Sequence, residues 1–314
     1  MFRRAARLSA LISVAIALLL TVGVQSAQAE GPVDLQARTG LDISWPQCGA
    51  PLPGGMSYAI VGVNGGTAAS TNPCLAEQLS WAETSTTGVD PNRPRIQLYV
   101  NTANPGEVLE EYGVTTWPIT NLDSRGLDSS QSADEAHRNP YGLCAQTLGN
   151  YRGFTNDLAC SWQYGWNRAV EAVDQRFAPA ARASGVSDRA ADYTWWLDVE
   201  TMNSWQLADA DAYARNTASI EGMKQFYVAE GAADVGLYST NFQWDQIVGN
   251  TLSFPNPDQP TTGGNLKGLK SWMAGAQSAD GAAFRCLSLV GLTGGPVAMN
   301  QYIADDLDYN YSCT

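Results

Sequence analysis

Read for the spacing of its apolar residues, the chain alternates between two periods. Short runs rich in β-branched and aromatic residues predict strands at residues 40–45, 58–64, 96–101, 194–200, 235–239, 271–274, 297–303 and 307–310. Helical spacing lies between several of them. Leu75, Leu79 and Ala82 predict a short helix. Trp162, Trp166, Ala169, Val170, Val173 and Phe177 predict a longer one, ended by Pro179 and Gly185. Ile220, Met223 and Phe226 mark one face of a helix over residues 208–230. Strand–helix alternation predicts a mostly parallel sheet, and eight strand candidates predict a closed, TIM-like α/β barrel. After residue 239 the strands crowd together with little helix between them. No internal repeat or linker interrupts residues 40–314, which read as one domain. Two stretches carry no clear period. Residues 117–159, rich in Asn, Asp, Ser and Gly, read as a functional loop or lid. Residues 252–269, with three Pro and three Gly, read as a connecting loop.

One strand breaks its own pattern. Thr194-Trp195-Trp196-Leu197 leads into Asp198-Val199-Glu200. Side chains alternate across a strand, so Asp198 and Glu200 face the same side. Two carboxylates at a buried strand end are costly to desolvate and repel each other. A sequence building only a core would place Val or Ile there. The plain alternative is two acids that are solvated or paired with Arg; the functional one is an acid/base pair for bond hydrolysis. Barrels carry their chemistry at the C-terminal ends of their strands. Asp42, Asn64, Asn101, Asp198, Glu200, Tyr238 and Asp308 all fall at or near such ends. Any one of the Asp or Asn residues alone could be a turn former; their convergence on one mouth is the stronger signal.

The first 29 residues stand apart from the barrel. Arg3, Arg4 and Arg7 precede an apolar run over residues 8–24, and Ala27-Gln28-Ala29 fits a small-x-small cleavage site. A secretion signal over residues 1–29 is therefore expected, then a polar lead-in over residues 30–39. The apolar run is at the short edge for spanning a bilayer, so no stable membrane anchor is expected after cleavage. The remaining 285 residues, Glu30 to Thr314, hold 15 basic and 31 acidic residues, a net charge of about −16. That balance excludes nucleic acid as a partner and suits a soluble, exported monomer. All six cysteines lie in this part, without C-x-x-C spacing, which points to three disulfides and away from zinc or thiol redox chemistry. Spacing leaves the connectivity open; chain neighbours close the smaller loops, giving Cys48–Cys74, Cys144–Cys160 and Cys286–Cys313 as the expected pairs. The single His137 sits in a polar stretch and reads as a surface residue, which removes a His-based triad or a multi-His metal site. No cofactor is expected.

Carboxylates must then carry the chemistry. Carboxylate pairs hydrolyse glycosides: one, its pKa raised, protonates the leaving oxygen, and the other stabilises or attacks the developing oxocarbenium ion. Glu200 is the expected general acid, held partly protonated by the charged Asp198. Ten Trp and thirteen Tyr suit sugar binding, although most such rings fill cores. Trp45, Trp205 and Trp244 follow strand ends and are the candidates for lining a groove.

Gly40-Leu41-Asp42-Ile43-Ser44-Trp45-Pro46-Gln47 resembles the opening of glycoside hydrolase family 25, the lysozyme-like muramidases. Leu197-Asp198-Val199-Glu200 resembles the family's central Asp-x-Glu motif, and Trp272-Met273-Ala274 its sixth strand. Gln301-Tyr302 and Asp308-Tyr309-Asn310 resemble its closing pair of motifs. Each motif is short; their order and spacing from Gly40 to Asn310 carry the resemblance. It implies a (β/α)5(β)3 barrel whose last three strands lack full helices. It implies cleavage of the β-1,4 bond between N-acetylmuramic acid and N-acetylglucosamine in peptidoglycan, without a metal. Glu200 would be the acid and Asp198 the charge stabiliser, aided by the substrate's own N-acetyl group. Asp42 and Asp308 would be supporting carboxylates. Asn64, Asn101, Tyr238, Gln301 and Tyr302 join the three Trp as candidate substrate-binding residues.

The chain departs from the family pattern in its walls and spares the four acids. Asn300 stands where a Trp usually precedes Gln-Tyr, Leu98-Tyr99-Val100-Asn101-Thr102 replaces a Tyr-His-Phe-like run, and Asn64 stands near the usual Arg. The stretch over residues 117–159 is also longer than the family pattern. Two rival readings are a non-catalytic glycan-binding relative and a Mg²⁺- or Ca²⁺-dependent hydrolase built on Asp42, Asp198, Glu200 and Asp308. Retention of all four acids favours hydrolysis over binding alone. Mass mapping without reduction is expected to find no free thiol; two or more free thiols would undo the export-and-disulfide reading.

Overall fold

The computed structural model describes residues 36–314 except 89, 91–92, 107–116, 146, 149–151, 154–155, 207–209 and 250–265. The expected secretion signal, most of the lead-in and most of the 252–269 loop lie outside the described residues. Eight strands close a barrel: β1 (Thr39–Ile43), β2 (Ala59–Gly62), β3 (Ile96–Asn101), β4 (Thr194–Asp198), β5 (Asp234–Ser239), β6 (Lys270–Ala276), β7 (Val297–Ala304) and β8 (Leu307–Ser312). Each coincides with one of the apolar runs. β1 to β7 lie side by side in chain order and run parallel. β8 runs antiparallel between β7 and β1 and closes the ring. The β7–β8 link is a tight turn at Asp305 and Asp306, with φ of 51° and 58°. Positive φ at both central residues matches the twist of a hairpin, and Asp tolerates it better than most residues.

Alternation divides each strand between an inner and an outer face. Tyr58, Ile60, Trp196, Tyr238, Trp272, Ala298 and Met299 pack in one inner cluster, with Tyr99 against it. Trp272 is its hub, its ring 4.3 Å from that of Tyr238 and 5.9 Å from that of Trp196. Such large rings fit because some neighbouring positions carry no side chain. A Cβ on Gly62 would lie 2.5 Å from Tyr99, and one on Gly236 would lie 2.2 Å from Trp196. The outer faces place Val61, Leu98, Leu197 and Leu237 against the surrounding helices.

Five strands are followed by helix. α1 (Leu75–Ala82) follows β2, α2 (Leu158–Glu171) and α3 (Ala178–Ser184) follow β3, and α4 (Ala210–Ala229) follows β4. α5 (Asn241–Val248) follows β5 and α6 (Ala279–Ser288) follows β6. The barrel therefore has the expected number of bare strands, but they are β1, β7 and β8 rather than the last three. α6 escapes the apolar pattern because Ala282 is its one buried residue, while Phe284 and Leu287 face outward. It is held by other means: the Ser278 hydroxyl caps it, and Arg285 donates to the carbonyls of Ala274 and Gly275 at 3.0 Å each. Pro179 does not end the long helix as its sequence position suggests. A π-helical turn, Ala172–Phe177, lies between α2 and α3 just before Pro179, and the helix runs on through the proline to Gly185.

All three disulfides pair chain neighbours: Cys48–Cys74, Cys144–Cys160 and Cys286–Cys313. The described part of residues 117–159 is not a lid. It lies along α2 and α4, where Arg125 reaches Asp174 and Glu230, Tyr141 bonds Glu221, and the His137 ring meets Trp166 edge-on at 5.8 Å. His137 is thus half-buried rather than a plain surface residue. Among the described residues no helix is long and apolar enough to cross a membrane.

α2 and α4 touch backbone to backbone. A Cβ on Gly165 would come within 1.8 Å of the Ser219 carbonyl oxygen, and one on Gly222 within 2.0 Å of that of Trp162. Backbone cannot yield as a flexible side chain can, so Gly165→Ala is expected to cost ~1–3 kcal/mol in denaturant unfolding. Gly54→Ala, which meets nothing within 4 Å, should leave stability unchanged.

Candidate active site

The C-terminal ends of β1 to β7 and the start of β8 share one mouth, and four carboxyl groups meet there. Antiparallel pairing sets Asp42 on β1 directly opposite Asp308 on β8. Asp42 Oδ1 accepts from Asn310 Nδ2 at 2.6 Å and from Gln301 Nε2 at 3.1 Å. Gln301 Oε1 in turn accepts from the Tyr238 hydroxyl at 2.7 Å. Asp198 ends β4, and its Oδ2 accepts from Asn101 Nδ2 at 2.6 Å. Its other oxygen, Oδ1, is buried and has no partner. Glu200 lies just past the strand, half-buried, and Oε1 accepts from Gln243 Nε2 at 3.4 Å.

All four acids hold their protons more tightly than usual. Burial pushes Asp42 up to about 8, with the charge of Asp308 adding to it and the Asn310 and Gln301 hydrogen bonds opposing it. Burial raises Asp198 well above the carboxylate range, helped by the charges of Glu200 and Asp42 and opposed by Asn101. Glu200 is raised by burial and by Asp308, against the Gln243 hydrogen bond. Asp308 is raised by burial. Burial acts on both Asp198 and Glu200 and each also feels a neighbouring carboxylate, so the pair holds protons that an exposed carboxyl would lose. Interacting carboxyls at this range titrate as a group rather than one by one. Among the described residues, none of the four is in an ion pair with Lys or Arg. The side-chain partners of Asp42, Asp198 and Glu200 are amides, which soften the charge without locking it in place as a guanidinium would. Nor, among the described residues, does any group of three or more His, Cys, Asp or Glu form a metal-holding set.

The other sequence candidates divide. Asn101, Tyr238 and Gln301 stand among the acids, and burial together with the four nearby carboxyls raises the Tyr238 pKa. Trp205 donates from Nε1 to the Glu200 carbonyl at 2.8 Å and so braces its backbone. Asn64 uses its side chain on main-chain groups, accepting from Asn101 N at 3.0 Å and donating to the Ala68 carbonyl at 3.2 Å. Tyr302 lies on the face of β7 opposite Gln301, packed with Ala276, Ala282 and Tyr311. Trp244, on α5, is buried in the outer core. Trp45 is half exposed beside Gly66. Sequence reasoning passed over Tyr99, Gln243 and, as a site residue, Asn310. Tyr99 feels the charges of Asp42, Asp198 and Glu200, and period-two spacing from Asn101 would have found it. Gln243 had no such signal, because it lies on a helix and not at one of the strand ends where chemistry is expected.

No protein-family model matches the chain, and no curated protein sequence matches it. Among solved structures it is similar to the bacterial lysozyme from Streptomyces coelicolor, with 13% identity over 87% of this chain and 91% of that one, at a TM-score of 0.39. It is also similar to the muramidase from Trichobolus zukalii, with 12% identity over 87% and 92% of the two chains, at a TM-score of 0.37. At this distance the site has to be understood from its own residues.

Asp42 binds its proton more tightly in the folded protein (about 8) than at its ordinary value of 3.8. The folded state therefore loses stability as pH rises from about 4 to about 8. Asp42→Asn keeps Oδ1 for both amide donors and removes the titration. Denaturant midpoints at pH 5 and pH 8 should fall less with rising pH in this variant than in wild type; equal slopes would show that Asp42 is not protonated when folded.

Proposed function

We propose that the protein is a glycoside hydrolase acting on a β-1,4-linked amino-sugar polymer, with peptidoglycan as the substrate. The observation that carries this reading is the meeting of Asp42, Asp198, Glu200 and Asp308 at one barrel mouth, each raised in pKa and the first three partnered by amides instead of cations. Such a cluster retains protons at neutral pH and can release them on demand, as acid catalysis requires. Its position at the C-terminal end of the strands is where barrels carry chemistry. The choice of peptidoglycan rests on the motifs around Asp42, Asp198-x-Glu200, Gln301-Tyr302 and Asp308-x-Asn310 and on their order.

Glu200 is the general acid. Of the two acids spaced two apart it is the less buried, and it delivers a proton to the glycosidic oxygen as that bond breaks. Asp308 helps to keep the proton on Glu200 until then. Bond cleavage leaves the anomeric carbon electron-poor, and Asp198 lowers the energy of that charge once it is ionised. Water completes the hydrolysis and leaves a new reducing end. Three disulfides support export to an oxidising compartment, where cell-wall glycan is found.

Glu200→Gln is expected to keep the fold and glycan binding and to lower the release of reducing ends from purified peptidoglycan by ~100-fold or more. EDTA should leave the wild-type rate unchanged. Binding of the glycan without release of reducing ends by wild type would replace hydrolysis with a purely binding role.

A further inference from the structure

Gln243 reaches Glu200 from an element whose sequence gave no hint of a site. It lies in the first turn of α5, whose cap is the Thr240 hydroxyl accepting from Gln243 N at 3.1 Å. The helix is anchored on its inner side by buried Trp244, Ile247 and Val248, and Asn216 Nδ2 on α4 donates to the Ile247 carbonyl at 2.8 Å. The Gln243 side chain therefore extends from a fixed platform.

The orientation of its amide follows from hydrogen-bond chemistry. Gln243 Oε1 accepts from Thr201 N at 2.7 Å and from the Thr201 hydroxyl at 3.0 Å. A backbone N–H can only donate, so the edge facing Thr201 must be the oxygen. The NH₂ edge is then turned toward Glu200 and donates to Oε1 at 3.4 Å. Among the described residues this is the sole side-chain hydrogen bond to the Glu200 carboxyl. The titratable groups around Glu200 are Asp308 on β8, Asp198 on β4, Asp42 on β1, Tyr238 on β5 and Tyr99 on β3. None of them brings a positive charge.

We infer that Gln243 is the positioning residue of the site: one amide edge fixes the loop after β4 through Thr201, and the other holds the Glu200 carboxyl and stabilises it once its proton has left. Every acidic neighbour favours proton retention, and a general acid that never releases its proton does not catalyse. Gln243 supplies the opposing interaction without a formal charge, so release stays within reach near neutral pH. This inference rests on Glu200 being the general acid.

The test compares wild type with Gln243→Met, which removes both edges, and Gln243→Glu, which keeps an acceptor for Thr201 and removes the donor. The second variant guards against a folding defect in the first. The Glu200 carboxyl is followed by ¹³C NMR titration and assigned by its loss in Glu200→Gln. The basic limb of the kcat/KM profile on purified peptidoglycan is measured in parallel. Loss of the donor disfavours the ionised form, so the Glu200 titration should rise by about half to one pH unit in Gln243→Met and further in Gln243→Glu. The basic limb should move upward by the same amount. A Glu200 titration unmoved in both folded variants overturns the role of Gln243. A titration that moves while the limb stays in place also overturns it. Full activity in Glu200→Gln is the separate result that removes the general-acid reading beneath it.

Discussion

Four carboxyl groups crowd one end of a barrel with no cation paired to them among the described residues, and the surrounding structure answers that constraint. Taking an ionised carboxylate out of water is expensive unless a counter-ion or a proton offsets it. The described ion pairs all lie elsewhere, such as Arg125 with Asp174 and Glu230, or Arg182 with Asp188. At the mouth the offsets are protons and amides: Asn101 for Asp198, Asn310 and Gln301 for Asp42, and Gln243 for Glu200. An arginine in any of these places would stabilise the fold and hold its acid permanently ionised. Amides stabilise less, and they leave the group able to titrate.

The reversed last strand makes this arrangement possible. Because β8 runs against both of its neighbours, the turn at Asp305 and Asp306 lies at the same end as the C-termini of the parallel strands. Residues from the two ends of the chain, Asp42 and Asp308, become directly opposed partners, and Asn310 and Gln301 come within hydrogen-bonding reach of Asp42. Below them, the rings of Trp196, Trp272, Tyr99 and Tyr58 form a packed floor. That floor keeps the lower barrel apolar and confines the polar groups to the mouth.

The disulfides act where packing is thin. Cys286–Cys313 joins α6, which buries only Ala282, to the end of the chain just beyond β8. Cys48–Cys74 ties the loop after β1, a strand with no helix of its own, to the start of α1. Cys144–Cys160 fastens the segment lying along α2 to that helix's first turn. Closing loops of this size restricts the unfolded chain and contributes ~3 kcal/mol each. By contrast, α2 and α4 need no such link, since Gly165 and Gly222 let their backbones meet over the stacked Trp162 and Trp166.

Local rules carried by the sequence determined much of this protein. Short apolar runs rich in β-branched and aromatic residues marked all eight strands, because a strand buried on both faces must be apolar along most of its length. Asp198 and Glu200 stood out because they interrupt such a run, and the cysteine pairing followed from proximity along the chain. The sequence also made α1, α2 and α4 legible, since each buries a stripe of apolar residues at helical spacing. α5 was passed over although Trp244, Ile247 and Val248 keep helical spacing in its eight residues, and α6 was not legible: its contacts depend on a cap, a disulfide and carbonyls presented by β6, which no periodicity records. The tertiary structure alone decided that Tyr302 faces outward, that Asn64 serves the backbone and that Gln243 holds Glu200. Those outcomes depend on which groups lie across the barrel from one another, and closure of the ring, rather than any local preference, sets those distances.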